Sequence, residues 1–285
     1  MKWKIKSWGR TWLSVWFSLF AACLAAVAFG QAPTATSVAK PAAPVDGKQL
    51  LQDMINALGG PAYLGVKNVV TNGRIYEIRE GQTVGTTVYR DFIEYPDRVR
   101  TEIGEKRELI LINNRLKGWI VEKGVTRDQT GQEVLEFLKT QQHDFDTLIR
   151  WRIQREPYEV KVGDEVTIDK TKTRELDLVF PGVETIRLFI DENTKLPAQF
   201  SYEMVDTSAV PAAPTGTPAA PPPRITQDVT LWNYHLVAGV MVPFHASIAQ
   251  KGKKVVDIVI EEVKFNTRLD NTVFSQPETP KRNRR

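Results

Sequence analysis

Cysteine and histidine are what this sequence has least of. Cys23 is the only cysteine and His143, His235 and His245 are the only histidines in 285 residues. Cys23 lies inside an apolar N-terminal run, so the chain beyond that run has neither a disulfide partner nor a thiol nucleophile. None of the histidines has the His-Glu-x-x-His spacing of a helical zinc site, and no cysteines remain to complete one. His235 and His245 fall on neighbouring strands, where a metal pair is conceivable but ordinary strand histidines are the default. His143-Asp-Phe-Asp146 reads as a helix break with an N-cap. A Gly-x-Ser-x-Gly elbow and a phosphate-cradling glycine loop are also missing. The adjacent carboxylates Asp164-Glu165, Asp191-Glu192 and Glu261-Glu262 sit at turns or point to opposite faces of a strand. General acid–base work needs two carboxyls facing one substrate. No catalytic residue, metal site or cofactor is therefore expected, and the chain does not read as an enzyme.

A basic excess on the folded body is missing too. The formal net charge is +4, yet Lys2, Lys4, Lys6 and Arg10 in the leader already account for it. Lys281-Arg-Asn-Arg-Arg285 adds further positive charge, which leaves the segment between the two ends acidic on balance. The pI near 9.0 belongs to the ends. Nucleic-acid binding needs a basic surface on the domain itself, so it is not expected here. The tail, 278–285, reads as solvated, with contact to an acidic membrane or cell-wall surface as the alternative.

What is present starts with export. Residues 1–30 are a basic stretch followed by an uncharged run from Thr11 to Gly30, which reads as a signal peptide cleaved near Gly30-Gln31. A retained membrane anchor is the alternative, because about 18 apolar residues can span a bilayer. Phe20-Ala-Ala-Cys23 loosely resembles a lipoprotein cleavage site, but Phe20 is a poor match and Leu24-Ala-Ala-Val-Ala28 continues the apolar run. Residues 31–45 are an Ala/Pro-rich linker with too few large apolar groups for a core. The expected location is the periplasm.

The body is a succession of hairpins. A helix from Asp46 or Gly47 carries Leu50, Leu51, Met54, Ile55 and Leu58 on one stripe and stops at Gly59-Gly60-Pro61. Period-2 alternation then marks strands at Val69–Arg79, Thr83–Ile93, Arg98–Ile103, Lys106–Ile112 and Lys117–Val121, with turns at Glu80-Gly81-Gln82, Gly104-Glu105 and Asn113-Asn114. A second helical region opens at Thr130 or Gly131 and breaks near His143-Asp144. Strands resume at Tyr158–Ile168, Thr173–Phe180, Glu184–Asp191, Leu196–Glu203, Ile225–Leu236, Val240–Gln250 and Val255–Phe265. Short connections make these neighbours antiparallel. Residues 206–223 form a Pro-rich loop that cannot pair into a sheet. One domain, 46–277, with helices against one large antiparallel sheet is the expectation.

Several strands carry more apolar residues than one helix layer covers, as in Leu109-Ile-Leu-Ile112 and Ile258-Val-Ile260. They fill a core or line a cavity for an acyl chain, where each buried methylene contributes about 0.8 kcal/mol. The stretch Leu188-Phe-Ile-Asp-Glu-Asn-Thr-Lys-Leu-Pro197 resembles the strand–Asp–Thr–Leu-Pro hairpin of outer-membrane lipoprotein carriers. Tyr234–Phe244, Ile260–Asn266 and Asp270–Phe274 extend the resemblance to the LolA/LolB-type lipoprotein-sorting proteins, related to sensor domains of the MucB/RseB type. The Pro-rich insert and basic tail depart from that pattern.

That resemblance implies an α+β, β-dominated fold: a strongly curved antiparallel sheet, an incomplete β-barrel, with helices covering its concave side. It implies a non-catalytic, monomeric lipid- or lipoprotein-binding protein whose partners are acyl chains of lipoproteins or other lipids, an inner-membrane exporter and an outer-membrane receptor. An envelope-stress sensor or protein-interaction module on the same fold is the alternative. The candidate cavity residues are Tyr76, Phe92, Leu109, Leu111, Trp119, Leu188, Phe200 and Trp232.

Overall fold

The structure is a computed structural model that describes residues 45–182, 184–206 and 223–277. The signal peptide, Cys23, the linker up to residue 44, residues 207–222 of the Pro-rich loop and the basic tail lie outside the described residues.

The chain enters through α1 (Gly47–Leu58), capped by Asp46, whose carboxylate accepts the Lys48 amide at 2.9 Å. Its buried residues are Leu50, Leu51, Met54, Ile55 and Leu58, the stripe that helical spacing requires. Gly59 closes the helix at φ 124° and packs so tightly on the Gly239 carbonyl that a Cβ would stand 2.3 Å from that oxygen. Only glycine suits both demands. A short α2 (Pro61–Leu64) follows, with Tyr63 buried.

Six strands then step outward as a meander: β1 (Asn68–Arg79), β2 (Gln82–Glu94), β3 (Arg98–Ile103), β4 (Leu109–Asn114), β5 (Lys117–Glu122) and β6 (Val125–Asp128). A helical segment comes next, with α3 (Gly131–His143), α4 (Phe145–Thr147) and a π turn (Leu148–Arg152). Seven strands return as a second meander: β7 (Glu159–Ile168), β8 (Thr171–Phe180), β9 (Glu184–Asp191), β10 (Pro197–Val205), β11 (Arg224–Val237), β12 (Val240–Gln250) and β13 (Lys253–Phe265). β13 pairs with β1, which joins both meanders into one 13-stranded antiparallel sheet bounded by β6 and β7. Those two edges do not pair, so the sheet is a curved, incomplete barrel. The helical segment carries the chain from one open edge to the other, and Phe145 packs on Phe200 of the sheet with ring centroids 5.6 Å apart.

The resemblance hairpin forms as the sequence implies. Asp191 accepts the Asn193 and Thr194 amides on Oδ1 at 2.7 and 3.3 Å, and the strand resumes at Pro197 opposite Ile190. Behind it lies a core in which Leu176, Leu178, Ile186, Leu188 and Ile190 are fully buried in one cluster with the α1 stripe.

Four local features differ from the sequence reading. Asn113 and Asn114 are paired strand residues, not a turn, and the reversal falls at Arg115-Leu116. Their side chains act as tethers instead: Asn113 donates to Gln129 at 2.9 Å and Asn114 to the Phe274 carbonyl at 3.1 Å. Gln82 pairs with Arg79, so Glu80-Gly81 alone makes that turn, with positive φ at both positions, as a tight hairpin needs. β4 begins at Leu109, not at Lys106. β6 was not expected, because a short strand with three exposed or polar positions has no apolar alternation to show.

Candidate functional site

The break in the helical segment delivers polar groups to the inner side of the sheet. α3 starts with a capping box in which Thr130 and Glu133 each accept the other's amide. It ends at His143, and Asp144 turns extended to cap α4, accepting the Thr147 amide at 2.8 Å. The π turn that follows directs both Arg150 and Arg152 inward, where they are buried. Single π turns of this kind recur where a helix must re-aim side chains.

Arg150 and Asp146 are the centre of a buried knot. Tyr63 and Tyr95 both donate their hydroxyls to Asp146, at 2.8 and 2.9 Å, and Arg150 donates Nε to the same carboxylate at 3.1 Å. The guanidinium also donates to the Tyr63 carbonyl at 2.8 Å and lies 4.0 Å over the Tyr63 ring. Burial, then the Asp146 charge, pushes both tyrosine hydroxyls well above their usual range. Burial works against the Arg150 charge, but Asp146, Tyr63 and Tyr95 together outweigh it and hold the guanidinium protonated.

A second cluster sits beside it. Glu184 on β9 lies 2.5 Å from the His143 ring nitrogen as an ion pair and accepts a hydrogen bond from Arg152 at 2.6 Å. Burial opposes its ionisation, yet those two partners lower its pKa to about 2. The His143 ring stacks on Tyr202 at 4.3 Å, and Tyr202 is in turn hydrogen-bonded by Gln227.

Between these helical groups and the sheet lies a cavity of about 1010 Å³, at the upper end of the range for small-molecule pockets. Its sheet wall is apolar, with Ile93, Val229, Leu231, Val242, Ile258 and Ile260. Its helical wall is polar, carrying Gln142, His143, Asp144, Asp146 and Arg150. Asp91 on β2 interrupts the sheet wall, as do Thr71, Thr101, Glu184, Glu203, Arg224 and Gln227 on other strands. Burial raises Asp91 to about 6 against the help of a Thr101 hydrogen bond, and burial plus the Asp146 charge raises Asp144 to about 6. The arrangement suits an elongated ligand that is apolar over most of its length and polar at one end.

The structure divides the eight residues expected at the cavity. Phe200 lines it. Leu188 is cross-strand partner to Phe200 on the same face, fully buried in the core beneath α1. Asp91, Thr101 and Leu111 are successive cross-strand partners, so Leu111, and Leu109 two residues before it, share the inner face but lie outside the cavity lining. Phe92, Arg100, Ile112 and Trp119 form the adjacent ladder and point the other way. Phe92 packs there under Arg90 at 4.7 Å. Tyr76 pairs with Asp257 next to the inward Ile75–Ile258 pair, so it too faces outward. Trp232 is 37% exposed and stands edge-on to His245 on the outer face.

Tyr63, Asp91, Asp144, Asp146 and Arg150 were not picked out as site residues from sequence. Asp91 left one signal: an acid at an inward strand position, two residues before Ile93. His235 contacts Asn233 at 3.0 Å and does not pair with His245, whose register partner is Trp232. Among the described residues, no group of three or more His, Cys, Asp or Glu is placed to hold a metal ion.

Solved structures share this architecture. A DUF1329 family protein from Desulfovibrio piger superposes with a TM-score of 0.51 at 10% identity, covering 80% of this chain and 95% of its own. A LolA superfamily protein from Nitrosomonas europaea gives 0.50 at 12% identity, covering 81% of this chain and 98% of its own. The chain has the LolA-like fold. No protein-family model matches its sequence, and no curated protein matches it either. At these identities the likeness is one of fold, so the LolA-like chain must be read functionally from its own cavity.

Proposed function

We propose that this LolA-like chain is a non-catalytic lipid- or lipoprotein-binding protein that shelters acyl chains between sheet and helices. One observation carries the reading: a cavity of about 1010 Å³ with an apolar sheet wall and a polar helical wall. An acyl chain laid along Val229, Leu231 and Ile258 leaves water at about 0.8 kcal/mol per methylene, with its head among the groups of α3 and α4. In this reading the leader 1–30 exports the chain to the periplasm, where it carries lipoproteins toward the outer membrane. Among the described residues, no helix is long and apolar enough to cross a membrane.

Native mass spectrometry of the protein taken from its own envelope tests this. Bound lipid or acylated peptide on a chain that starts after residue 30 is the expected result. A lipid-free protein carrying one envelope protein in stoichiometric amount overturns it in favour of a partner-binding module.

A further inference from the structure

Most charged groups on the cavity wall are already matched. Arg150 holds Asp146 at 3.1 Å, Arg152 holds Glu184 at 2.6 Å and Arg224 holds Glu203 at 3.0 Å. Asp91 and Asp144 line the same cavity and, among the described residues, neither forms a direct ion pair, although the Arg150 charge acts on Asp144 and favours its ionised form. Asp144 has one backbone amide, from Thr147, and Asp91 one hydroxyl, from Thr101. One oxygen of Asp91, Oδ1, is enclosed and accepts no hydrogen bond. The two carboxyls also repel each other across the cavity.

A carboxylate enclosed without a counter-charge is costly, and a donor-rich cation is what relieves it. Asp91 sits in the mostly apolar sheet wall and Asp144 in the polar helical wall, so such a cation gains most when it is carried on a hydrocarbon chain that lies along the sheet side. We propose that the cavity selects amphiphiles with a cationic ammonium head, held between Asp91 and Asp144, with the chain along the Val229–Ile258 wall. This inference rests on the lipid-binding reading above and names the head-group chemistry that reading leaves open.

Competition of dodecylamine, dodecanol and dodecanoate against a fluorescent acyl probe, on the full chain at pH 7.5, is the test. Dodecylamine should bind roughly tenfold or more tighter than dodecanol, the size of a charge-assisted hydrogen bond, and dodecanoate weakest. Asp91→Asn should collapse the amine-over-alcohol ratio toward one, as should Asp144→Asn, in which asparagine still caps α4. If no alkyl probe binds, the lipid-binding reading itself fails. If all three bind without an amine preference, or the preference survives both substitutions, the head-group assignment fails alone.

The wild-type protein supplies a second readout in case a variant misfolds. Between pH 7.5 and 5 the amine stays cationic while Asp91 and Asp144, at about 6, take up protons. The amine preference should then shrink, and an undiminished preference at pH 5 overturns the assignment. The groups acting on this pair include Asp146 and Arg150, locked in the knot, and the neutral hydroxyls of Tyr89, Tyr95 and Tyr202, while Glu136, Lys139 and His143, the last paired with Glu184, line the same cavity. Lysophosphatidylethanolamine in place of dodecylamine identifies the source: parallel behaviour assigns the ammonium to a phospholipid head, and binding of dodecylamine alone assigns it to an amine without phosphate. Both results support an ammonium site.

Discussion

Tyr63 and Asp146 lie 83 residues apart and meet in a 2.8 Å hydrogen bond. That bond ties α2, next to the chain's entry, to α4, on the segment that bridges the two open edges of the sheet. Tyr95 from the end of β2 and Arg150 from the π turn converge on the same carboxylate. The helical layer is therefore fastened to the sheet by polar contacts as well as by packing, and the fastening is one wall of the cavity.

Removing the acceptor should loosen that wall. Asp146→Asn leaves Arg150, whose side chain is 4% exposed, without its counter-charge. Breaking a buried pair from one side costs about 3–5 kcal/mol, and the 33% exposure of Asp146 puts this case at the low end. Tyr95→Phe removes one hydrogen bond and should cost about 1 kcal/mol. Urea unfolding midpoints of the two variants should fall in that order. Equal effects would mean that Asp146 matters only as a hydrogen-bond acceptor.

Gly59 is a sharper test of packing. Gly59→Ala would put a methyl 2.3 Å from the Gly239 carbonyl at a φ of 124°. Strain of this kind costs about 1–3 kcal/mol, before the cost of parting α1 from the β11–β12 turn is added. Gly81→Ala, also at positive φ but with open space around it, should cost only the smaller backbone penalty. Thermal unfolding should show Gly59→Ala well below Gly81→Ala.

The contrast between these positions shows what the sequence could and could not reveal. The α1 stripe was legible because one face is buried and the other wet, and the ends of β3 and β12 were legible from the turn glycines Gly104, Gly239 and Gly252 that bound them. The 191–194 turn was legible from its Asx chemistry. The cavity residues were hidden for the opposite reason: aromatic residues occur on both faces of this sheet. Phe92 and Phe200 look alike in sequence, and only strand pairing shows that one lies under Arg90 outside and the other inside. The Tyr63–Tyr95–Asp146–Arg150 knot joins distant segments, and no local periodicity records it.

Stability should peak in mildly acidic solution. Asp91 and Asp144 sit at about 6 in the fold against an ordinary 3.8, so the native state binds more protons than the unfolded chain between those values. Stability contributed by their neutral forms is present below about pH 4 and is lost as pH rises through 6. Glu133 and Glu184 run the other way: both are lowered to about 2 from 4.5, so their contribution is present above 4.5 and lost as pH falls toward 2. Urea midpoints should therefore be highest near pH 4, between the ordinary values of the two kinds of carboxyl, and Asp91→Asn should remove part of the decline between pH 4.5 and 6.5. A flat profile over that interval in the wild type would show that the two carboxyls are not enclosed as described.

Filling the cavity separates binding from folding. Leu231 on β11 lines the apolar wall and is only partly buried, so Leu231→Trp can extend its ring into free space instead of into packed core. Overpacking a filled core costs about 1–3 kcal/mol, but here the added volume displaces ligand, not protein. Binding of a fluorescent acyl probe should weaken by at least about tenfold while the unfolding midpoint changes little. Leu188→Ala, in the core beneath α1, should do the reverse: it should lose about 2–5 kcal/mol of stability and keep affinity in the fraction that stays folded. Phe92→Ala, on the outer face, should leave acyl binding unaltered. If Phe92→Ala weakens binding as much as Leu231→Trp, the acyl chain lies on the outer face of the sheet and the cavity is not its site.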